Sequence, residues 1–199
     1  MKITVFGGSK PRPGEAAYAE AYRLGEMLAK SGYTVQNGGY IGTMEAVSKG
    51  AAENGGSVVG ITCAQIESWR PVSPNLWLST EIRFETLQER LLALINTCDG
   101  ALALPGGQGT LTEISLMWNL LLTESIPARP LIVIGPGWKA TFENYFAQLG
   151  SYVPDEQRRW LTFADSTETA VDALNQALRG GQLAIPRQLV NDPPFQLCN

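Results

Sequence analysis

The most informative part of the sequence is GALALPGGQGTLTE, residues 100–113. Its first five residues are small or apolar, which predicts a strand buried on both faces, as in a parallel β-sheet. The glycine-rich turn that follows leads into residues 111–123, which are apolar on nearly all sides and predict a buried helix. A strand, a glycine-rich turn and a helix in this order are typical of open α/β sheets, which bind ligands at the carboxyl ends of their strands.

The same alternation of short apolar runs and helical patterns continues in both directions. Predicted strands cover residues 2–7, 34–36, 57–62, 100–104, 131–134 and 161–164, and predicted helices cover 14–31, 43–54, 82–97, 111–123, 138–149 and 167–179. The alternation predicts an α/β fold, a doubly wound, Rossmann-like parallel sheet with helices on both faces in a single domain. We expect this domain to span residues 1–179 and an extended C-terminal tail to follow at 180–199.

Residues 63–80 interrupt this alternation. The segment is longer than an ordinary connection between a strand and a helix, and it contains Pro71, Pro74, Trp69 and Trp77. We interpret it as a functional loop or lid. Its tryptophans are candidates for stacking on a ligand, and the alternative is that they are exposed or core residues.

The composition excludes several classes of protein. The 199 residues include 15 Lys+Arg and 19 Asp+Glu, a net charge of −4, which argues against a broad nucleic-acid or membrane surface. The chain has no histidine, which excludes Ser-His-Asp and Cys-His catalysis and argues against most transition-metal sites. Cys63, Cys98 and Cys198 form no CxxC motif and indicate neither disulfides nor zinc. We expect no metal, no cofactor and no membrane segment. We further expect a cytoplasmic location and acid–base chemistry supplied by carboxylates.

Three glycine-rich turns follow predicted strands, at residues 7–9, 38–42 and 105–110. In a parallel sheet such turns share one edge, where glycine lets the backbone approach a ligand and the next helix offers free N–H groups. The turn at 105–110 is therefore a candidate phosphate cradle. It is not a Walker A loop, and Thr112 stands where a dinucleotide fingerprint has its third glycine. The alternative is a tight turn with only a structural role.

Two charged residues near this cradle each have two interpretations. Glu113 and Thr110 match a helix capping box, a purely structural arrangement. However, the helix that follows is so apolar that a carboxylate in its first turn is costly unless it is used or paired. Arg90 can form a surface ion pair with Glu85 or Glu89. Opposite a phosphate cradle, Arg90 and Glu113 are together candidates for a catalytic site.

The nine residues PGGQGTLTE, 105–113, resemble the PGGxGTxxE motif of the LONELY GUY (LOG) family, once called lysine-decarboxylase-like. Residues 5–9, 38–44 and 87–90 resemble the family's opening strand and turn, its second glycine motif and its arginine-bearing helix motif, so that the resemblance covers residues 2–149. It implies hydrolysis of the N-glycosidic bond of a nucleoside 5′-monophosphate, such as a cytokinin or AMP-like nucleotide, to a free base and ribose 5-phosphate. Lysine decarboxylation is rejected, because the glycine-rich motifs hold no lysine for a Schiff base.

The resemblance also implies the site residues. Arg90 and Glu113 would be catalytic. Substrate and phosphate would be bound by Gly8, Ser9, Gly39, Gly42, Gly106, Gly107, Gly109 and Thr110. Because family members assemble around helices beside the site, a homodimer or higher homo-oligomer is expected here through the helices at 82–97 and 111–123.

Three positions depart from the family pattern. Leu91 stands where the family usually has Lys, and Asn37 and Glu45 stand where it tends to have Gly. These changes leave open which base is released; Glu45 is either a helix-start carboxylate or an acceptor for an exocyclic amine of the base. The alternative function is a non-catalytic nucleotide- or molybdenum-cofactor-binding carrier of the same fold, which would use the same cradle without turnover.

Overall fold

The computed structural model describes residues 1–180. The strands are β1 (Lys2–Phe6), β2 (Thr34–Asn37), β3 (Val58–Cys63), β4 (Thr80–Phe84), β5 (Gly100–Ala103), β6 (Leu131–Ile134) and β7 (Thr162–Ala164). The helices are α1 (Ala16–Lys30), α2 (Thr43–Glu53), α3 (Ala64–Trp69), α4 (Leu87–Asn96), α5 (Gln108–Leu122), α6 (Pro136–Leu149), α7 (Asp155–Arg158) and α8 (Thr167–Arg179), with a 3₁₀ turn at Gly150–Tyr152.

The seven strands form one parallel sheet in the order β4-β3-β2-β1-β5-β6-β7. The chain builds from β1 to one edge and then returns to β5 on the other side of β1, where Phe6 pairs with Ala103. The predicted doubly wound α/β fold is confirmed. Because the strand order reverses between β1 and β5, the carboxyl ends of these two strands flank the crevice in which such sheets bind ligands.

Two hydrophobic layers cover the sheet, because successive strand residues point to opposite faces. Ile3 and Val5 of β1 pack with α1, α2 and α8, whereas Phe6 packs with α4, α5 and α6. The inner strand β6 is apolar and buried at every position, as expected for a parallel sheet covered on both faces. The carboxyl edge of the sheet therefore rests on a packed core.

Helices α1 and α2 pack with their backbones in contact. A Cβ atom on Gly25 of α1 would collide with the carbonyl oxygen of Val47, and one on Gly50 of α2 would collide with the carbonyl oxygen of Tyr22. Only glycine allows so close an approach. This contact fixes the start of α2, and with it the second glycine-rich turn, beside the end of β1.

The predicted helix at 82–97 is wrong over its first residues. Thr80–Phe84 forms the edge strand β4, in which Ile82 pairs with Ile61 of β3. Helix α4 begins only at Leu87, after a capping box in which the Thr86 hydroxyl accepts from the Glu89 N–H. Helical spacing of the apolar residues masked this boundary, although the Thr86-to-Glu89 pattern is a recognisable helix start.

The segment 63–80, predicted as a loop or lid, is only partly irregular. Its first third forms α3, and its last residue, Thr80, begins β4. The 3₁₀ turn and α7, both too short for a periodic signal, were not predicted.

Some predictions fall outside the described residues. The tail at 180–199 lies there except for Gly180, as does Cys198, so the predicted domain boundary stays a prediction. Cys63 and Cys98 are buried free thiols. Within residues 1–180, no helix has the length and apolar character needed to span a membrane, and no cluster of acidic and cysteine side chains has a geometry that could hold a metal ion.

Candidate active site

Three glycine-rich turns meet where the strand order reverses. Gly8 follows β1, and a Cβ atom added to it would lie 3.4 Å from the Cα atom of Gly106, which follows β5. Thr43 opens α2 after the turn at 38–42, and its N–H and hydroxyl donate to the carbonyl oxygen of Gly8 at 2.9 and 3.0 Å. The turns at 7–9, 38–42 and 105–110 therefore form one continuous surface at the carboxyl edge of the sheet.

Glycine serves two different purposes in this surface. Gly42 has a φ of +80°, and a Cβ atom there would lie 2.6 Å from the Cα atom of Ser9, so packing alone demands glycine. Gly107 and Gly109 differ, because a Cβ atom at either position would meet no atom of residues 1–180 within 4 Å. Gly107 is the N-cap of α5 and makes no side-chain cap. The space beside these two Cα atoms is open, and the first N–H groups of α5 have no acceptor within the helix, which together are the features of an anion site.

Besides Gly42, two of the predicted binding residues are buried beneath this surface. Gly39 is buried, and a Cβ atom on it would lie 3.3 Å from the Cα atom of Gly60. Thr110 is only 2% exposed, and its side chain fills the space beside Gly106. Both positions shape the turns from below, whereas the exposed residues of the 105–109 turn are open to a ligand.

Arg90 points inward and is held by the backbone of two neighbouring strand ends. Its Nε donates to the carbonyl oxygen of Ile61 at 2.8 Å, and its Nη2 donates to that of Gly38 at 3.3 Å. The guanidinium carbon lies 5.7 Å from the ring centroid of Tyr40, within the range of a cation–π contact. Arg90 is 5% exposed, so its orientation is fixed by burial as well as by these partners.

Glu113 faces Arg90 across the crevice. Its Oε1 lies 4.0 Å from Nη1 of Arg90, and the two side chains are 11% and 6% exposed. Burial raises the pKa of the Glu113 carboxyl to about 7, against a weaker opposing effect of the Arg90 charge. Both protonation states are therefore populated near neutral pH, as a group that exchanges protons with a substrate requires.

The structural interpretations of these two residues are wrong. Helix α5 begins at Gln108 with Gly107 as its N-cap, so Thr110 and Glu113 form no capping box. Arg90 is not in a surface ion pair with Glu89, whose carboxylate accepts from the N–H and hydroxyl of Thr86. The structure instead brings Arg90 and Glu113 together beside the glycine-rich turns.

Sequence reasoning missed three residues of this region. The Tyr40 hydroxyl accepts from the N–H of Cys63 at 2.8 Å and lies 3.2 Å from Oε1 of Glu67. The side-chain amide of Asn75 donates to the carbonyl oxygens of Gly39 and Tyr40 at 3.0 Å each, which ties segment 63–80 to the second turn. Nη1 of Arg70 donates to Oγ of Ser9 at 3.1 Å. Each of these contacts joins residues that are far apart in sequence, and no local motif could have identified them.

The tryptophans and the helix α5 differ in part from expectation. Trp69 is 77% exposed, and Trp77 is partly buried with Nζ of Lys49 5.5 Å from its ring centroid, so neither is a core residue.

The outer face of α5, expected to be buried, carries Leu111 and Trp118 and lines an open cavity of about 530 Å³ against α6. Neither Arg90 nor Glu113 lines this cavity. Glu45 lies in the first turn of α2, as its helix-start interpretation predicts.

Comparison with known proteins gives a family and two named relatives. The model of the SLOG cluster4 family matches residues 1–153. A probable cytokinin riboside 5′-monophosphate phosphoribohydrolase of Oryza sativa subsp. japonica is 33% identical over 146 residues, which cover 67% of this chain and 55% of that protein. The pyrimidine/purine nucleotide 5′-monophosphate nucleosidase of Escherichia coli is 28% identical over 160 residues, 76% of this chain and 34% of that protein. This chain thus spans about half of the rice relative's length and a third of the bacterial one's.

Solved structures show the same fold. The molybdenum cofactor binding protein of Rippkaea orientalis superposes with a TM-score of 0.69 over 89% of this chain and 96% of its own, at 23% identity. At that identity, the likeness shows a shared architecture only.

Proposed function

The chain belongs to the SLOG cluster4 family, and we propose that it hydrolyses the N-glycosidic bond of a nucleoside 5′-monophosphate to a free base and ribose 5-phosphate. One observation carries this proposal: a carboxyl group with a pKa of about 7 lies beside a buried arginine at the edge of an open phosphate cradle. Relatives named as a phosphoribohydrolase and a nucleosidase support membership of an enzyme family.

The cradle would place the substrate. The space beside Gly107 and Gly109 is open, and there the first N–H groups of α5 and the positive end of its dipole would bind the 5′-phosphate. Glu113 lies one turn after Thr110, about 5 Å farther along the helix axis. A phosphate held at the start of α5 therefore leaves the attached ribose within reach of Glu113.

Glu113 would act at the anomeric carbon. When the bond from C1′ to the base nitrogen breaks, the bonding electrons leave with the base and positive charge develops on the ribose. The ionised carboxylate stabilises that charge, either electrostatically or by attack on C1′, until the oxygen of water bonds to C1′. The proton lost by water goes to the departing base by way of the solvent or the Glu113 carboxyl.

Arg90 would fix this geometry. Its backbone hydrogen bonds to Ile61 and Gly38 leave Nη1 directed toward Glu113. A cation there keeps part of the Glu113 population ionised near neutral pH and can also hold a ribose hydroxyl. The reaction so described uses neither a metal nor a redox cofactor.

The alternative is a carrier that binds a nucleotide or molybdenum cofactor in the same cradle without turnover. The fold is compatible with such a role. A carrier, however, needs only the cradle and has no use for the burial of an ionisable carboxyl group beside it, which costs stability. The Arg90–Glu113 pair therefore favours the enzyme.

The homodimer stays a prediction, as does the cytoplasmic location. The surface expected to form the homodimer is apolar, since Leu87 and Leu92 of α4 and Leu111 of α5 are 39%, 43% and 40% exposed. Sedimentation equilibrium of the full chain would measure the stoichiometry directly.

The direct test is to incubate the full chain with a panel of nucleoside 5′-monophosphates, N6-modified adenosine monophosphates included, and to measure free base by chromatography. We expect base release by the wild type and at least a ~10³-fold loss in Glu113→Gln, because the developing charge loses its carboxylate. Glu143→Gln, which changes an exposed carboxylate on α6, is the matched control. If no nucleotide yields base while calorimetry shows AMP binding, the enzyme is excluded for that panel and the carrier is favoured.

A further inference from the structure

Arg70 brings a cation to the turn that follows β1. Its backbone N–H donates to the carbonyl oxygen of Ile66 at 2.8 Å, so the end of α3 fixes where the residue lies. Its Nη1 donates to Oγ of Ser9 at 3.1 Å. Ser9 in turn abuts Gly42, so Arg70 reaches the wall of the glycine-rich surface.

The Arg70 guanidinium lacks partners that such a group normally has. Its Nε is buried and has no hydrogen-bond partner among residues 1–180. No carboxylate oxygen in the same described residues lies within 4.0 Å of its nitrogens. Nη2 of Arg70 likewise makes no hydrogen bond within residues 1–180, but unlike Nε it is accessible, so it is the donor that an acceptor from outside the chain can reach.

The three glycine-rich turns carry no cationic side chain of their own. Residues 7–9, 38–42 and 105–110 contain no Lys or Arg. Arg90 is already bound to two backbone carbonyls and faces Glu113. A phosphate monoester carries close to two negative charges at neutral pH, and backbone N–H groups alone compensate these charges poorly. Arg70 is placed to supply positive charge from a partly buried side chain, whereas Arg12, which also contacts Ser9, is exposed.

We infer that Arg70 binds the phosphate group of the substrate from the side opposite the start of α5, and that it makes the site select a nucleoside 5′-monophosphate over the unphosphorylated nucleoside. The inference rests on the proposed function for the identity of the ligand. Nη1 of Arg70 donates one N–H to Ser9, and a phosphate oxygen accepts from the accessible Nη2, with a second oxygen accepting the remaining N–H of Nη1. Two N–H groups of one guanidinium then hold the phosphate in the paired manner typical of arginine.

The test compares Arg70→Gln with Arg12→Gln. Arg12 is exposed and also contacts the turn, since its Nη1 donates to the backbone oxygen of Ser9 at 3.0 Å. The two variants therefore remove the same charge near the same residue. AMP and adenosine are titrated into each full-length protein by calorimetry, and thermal unfolding establishes that each variant is folded.

We expect Arg70→Gln to weaken AMP binding by about 10- to 100-fold, as loss of a charge-assisted pair does, and to leave adenosine binding unchanged. Arg12→Gln should change AMP binding by less than about threefold, because its charge is screened by solvent. Arg70→Lys should recover only part of the loss, since an ammonium group does not reproduce the paired geometry.

An unchanged ratio of AMP to adenosine affinity in Arg70→Gln overturns the inference, as does an equal loss in Arg12→Gln. Base release separates this result from the proposed function. A wild type that loses AMP affinity on Arg70→Gln but never releases base supports the role of Arg70 and overturns the hydrolase. Rapid hydrolysis with an unchanged KM for AMP in Arg70→Gln supports the hydrolase and overturns the role of Arg70. A wild type that binds AMP no better than adenosine overturns both the role of Arg70 and the proposed nucleotide site.

Discussion

Two arginine–glutamate pairs lie on either side of Tyr40 and behave in opposite ways. Nη2 of Arg83 lies 2.7 Å from Oε2 of Glu67, with side chains 48% and 22% exposed. The Arg90–Glu113 pair is longer, at 4.0 Å, and far more buried. Hydrogen bonding by Arg83 lowers the pKa of Glu67, whereas burial raises the pKa of Glu113 to about 7.

The comparison shows that residue type does not determine what a pair can do. The exposed pair has close contact and remains partly solvated, so its carboxylate stays ionised and its role is to join α3 to β4. The buried pair has too long a contact to compensate for lost solvation, and its carboxyl group is left ready to exchange a proton. A candidate site is thus recognised by an incompletely satisfied pair.

The largest effect is expected when the cation of the buried pair, Arg90, is removed. We expect Arg90→Gln to lower kcat/KM by about 10²- to 10³-fold, because Glu113 loses its electrostatic partner and the substrate its positioning group. The pKa of Glu113 should rise above its wild-type value, since the Arg90 charge is what lowers it. A pH–rate profile measures this shift: its rising limb should move to higher pH. An unmoved limb would show that the pair is not coupled.

The second prediction concerns stability and pH. Because the folded pKa of Glu113 is raised from 4.5 to about 7, its protonated form favours folding. The corresponding stability is complete below pH 4.5, declines as pH rises to about 7, and is absent above it. Glu113→Gln cannot ionise. Its free energy of unfolding should therefore rise relative to that of wild type by about 3 kcal/mol between pH 4.5 and pH 8. Urea unfolding of both proteins across this range measures the gap, and parallel curves would contradict the prediction.

The third prediction separates the two functions of Tyr40, which contacts both pairs. Tyr40→Phe keeps the ring beside Arg90 but removes the acceptor for the N–H of Cys63, which should cost about 1–3 kcal/mol of folding free energy. Its kcat/KM should fall by less than about threefold, against roughly tenfold for Tyr40→Leu, which also removes the cation–π contact. Equal activities of the two variants would show that the ring does not position Arg90.

The smallest effect is expected at the exposed pair. Glu67→Gln should shift Tm by less than about 2 °C at pH 7, because exposed ion pairs contribute little. Since the pKa of Glu67 is lowered, the contribution of the pair is present above pH 4.5 and is lost as pH falls below it. Thermal scans should therefore show Glu67→Gln less stable than wild type by a larger margin at pH 7 than at pH 3.5, whereas Glu113→Gln should be more stable than wild type at the higher pH.

The sequence was informative where one local pattern determines the structure. The apolar run at 100–104 and the glycine-rich turn after it correctly indicated a central strand followed by a helix, although α5 begins at Gln108, three residues before the predicted start. Edge strand β4 was missed, because a strand exposed at most positions carries little apolar alternation and its pairing with β3 is a tertiary effect.

The candidate site divides in the same way. Arg90 and Glu113 came from motifs, but their burial and the resulting pKa of about 7 came only from the packing of α4 against α5. Arg70 reaches Ser9 across 61 positions of sequence, and no periodicity or capping rule encodes such a contact. The sequence alone does not show which side chains are left without hydrogen-bond or ion-pair partners after folding.

The pairing of β1 with β5 has a consequence for folding kinetics. Ile3 pairs with Gly100 and Phe6 with Ala103, so about a hundred residues must be looped out before the two central strands meet. Such long-range parallel pairing is slow to form, on the order of milliseconds to seconds. The crevice between these strands exists only after that step, and a partly folded chain has no cradle to offer. Acquisition of nucleotide affinity during refolding should therefore coincide with the slowest structural phase. The rate at which ligand binding is regained then measures the rate at which the fold is completed.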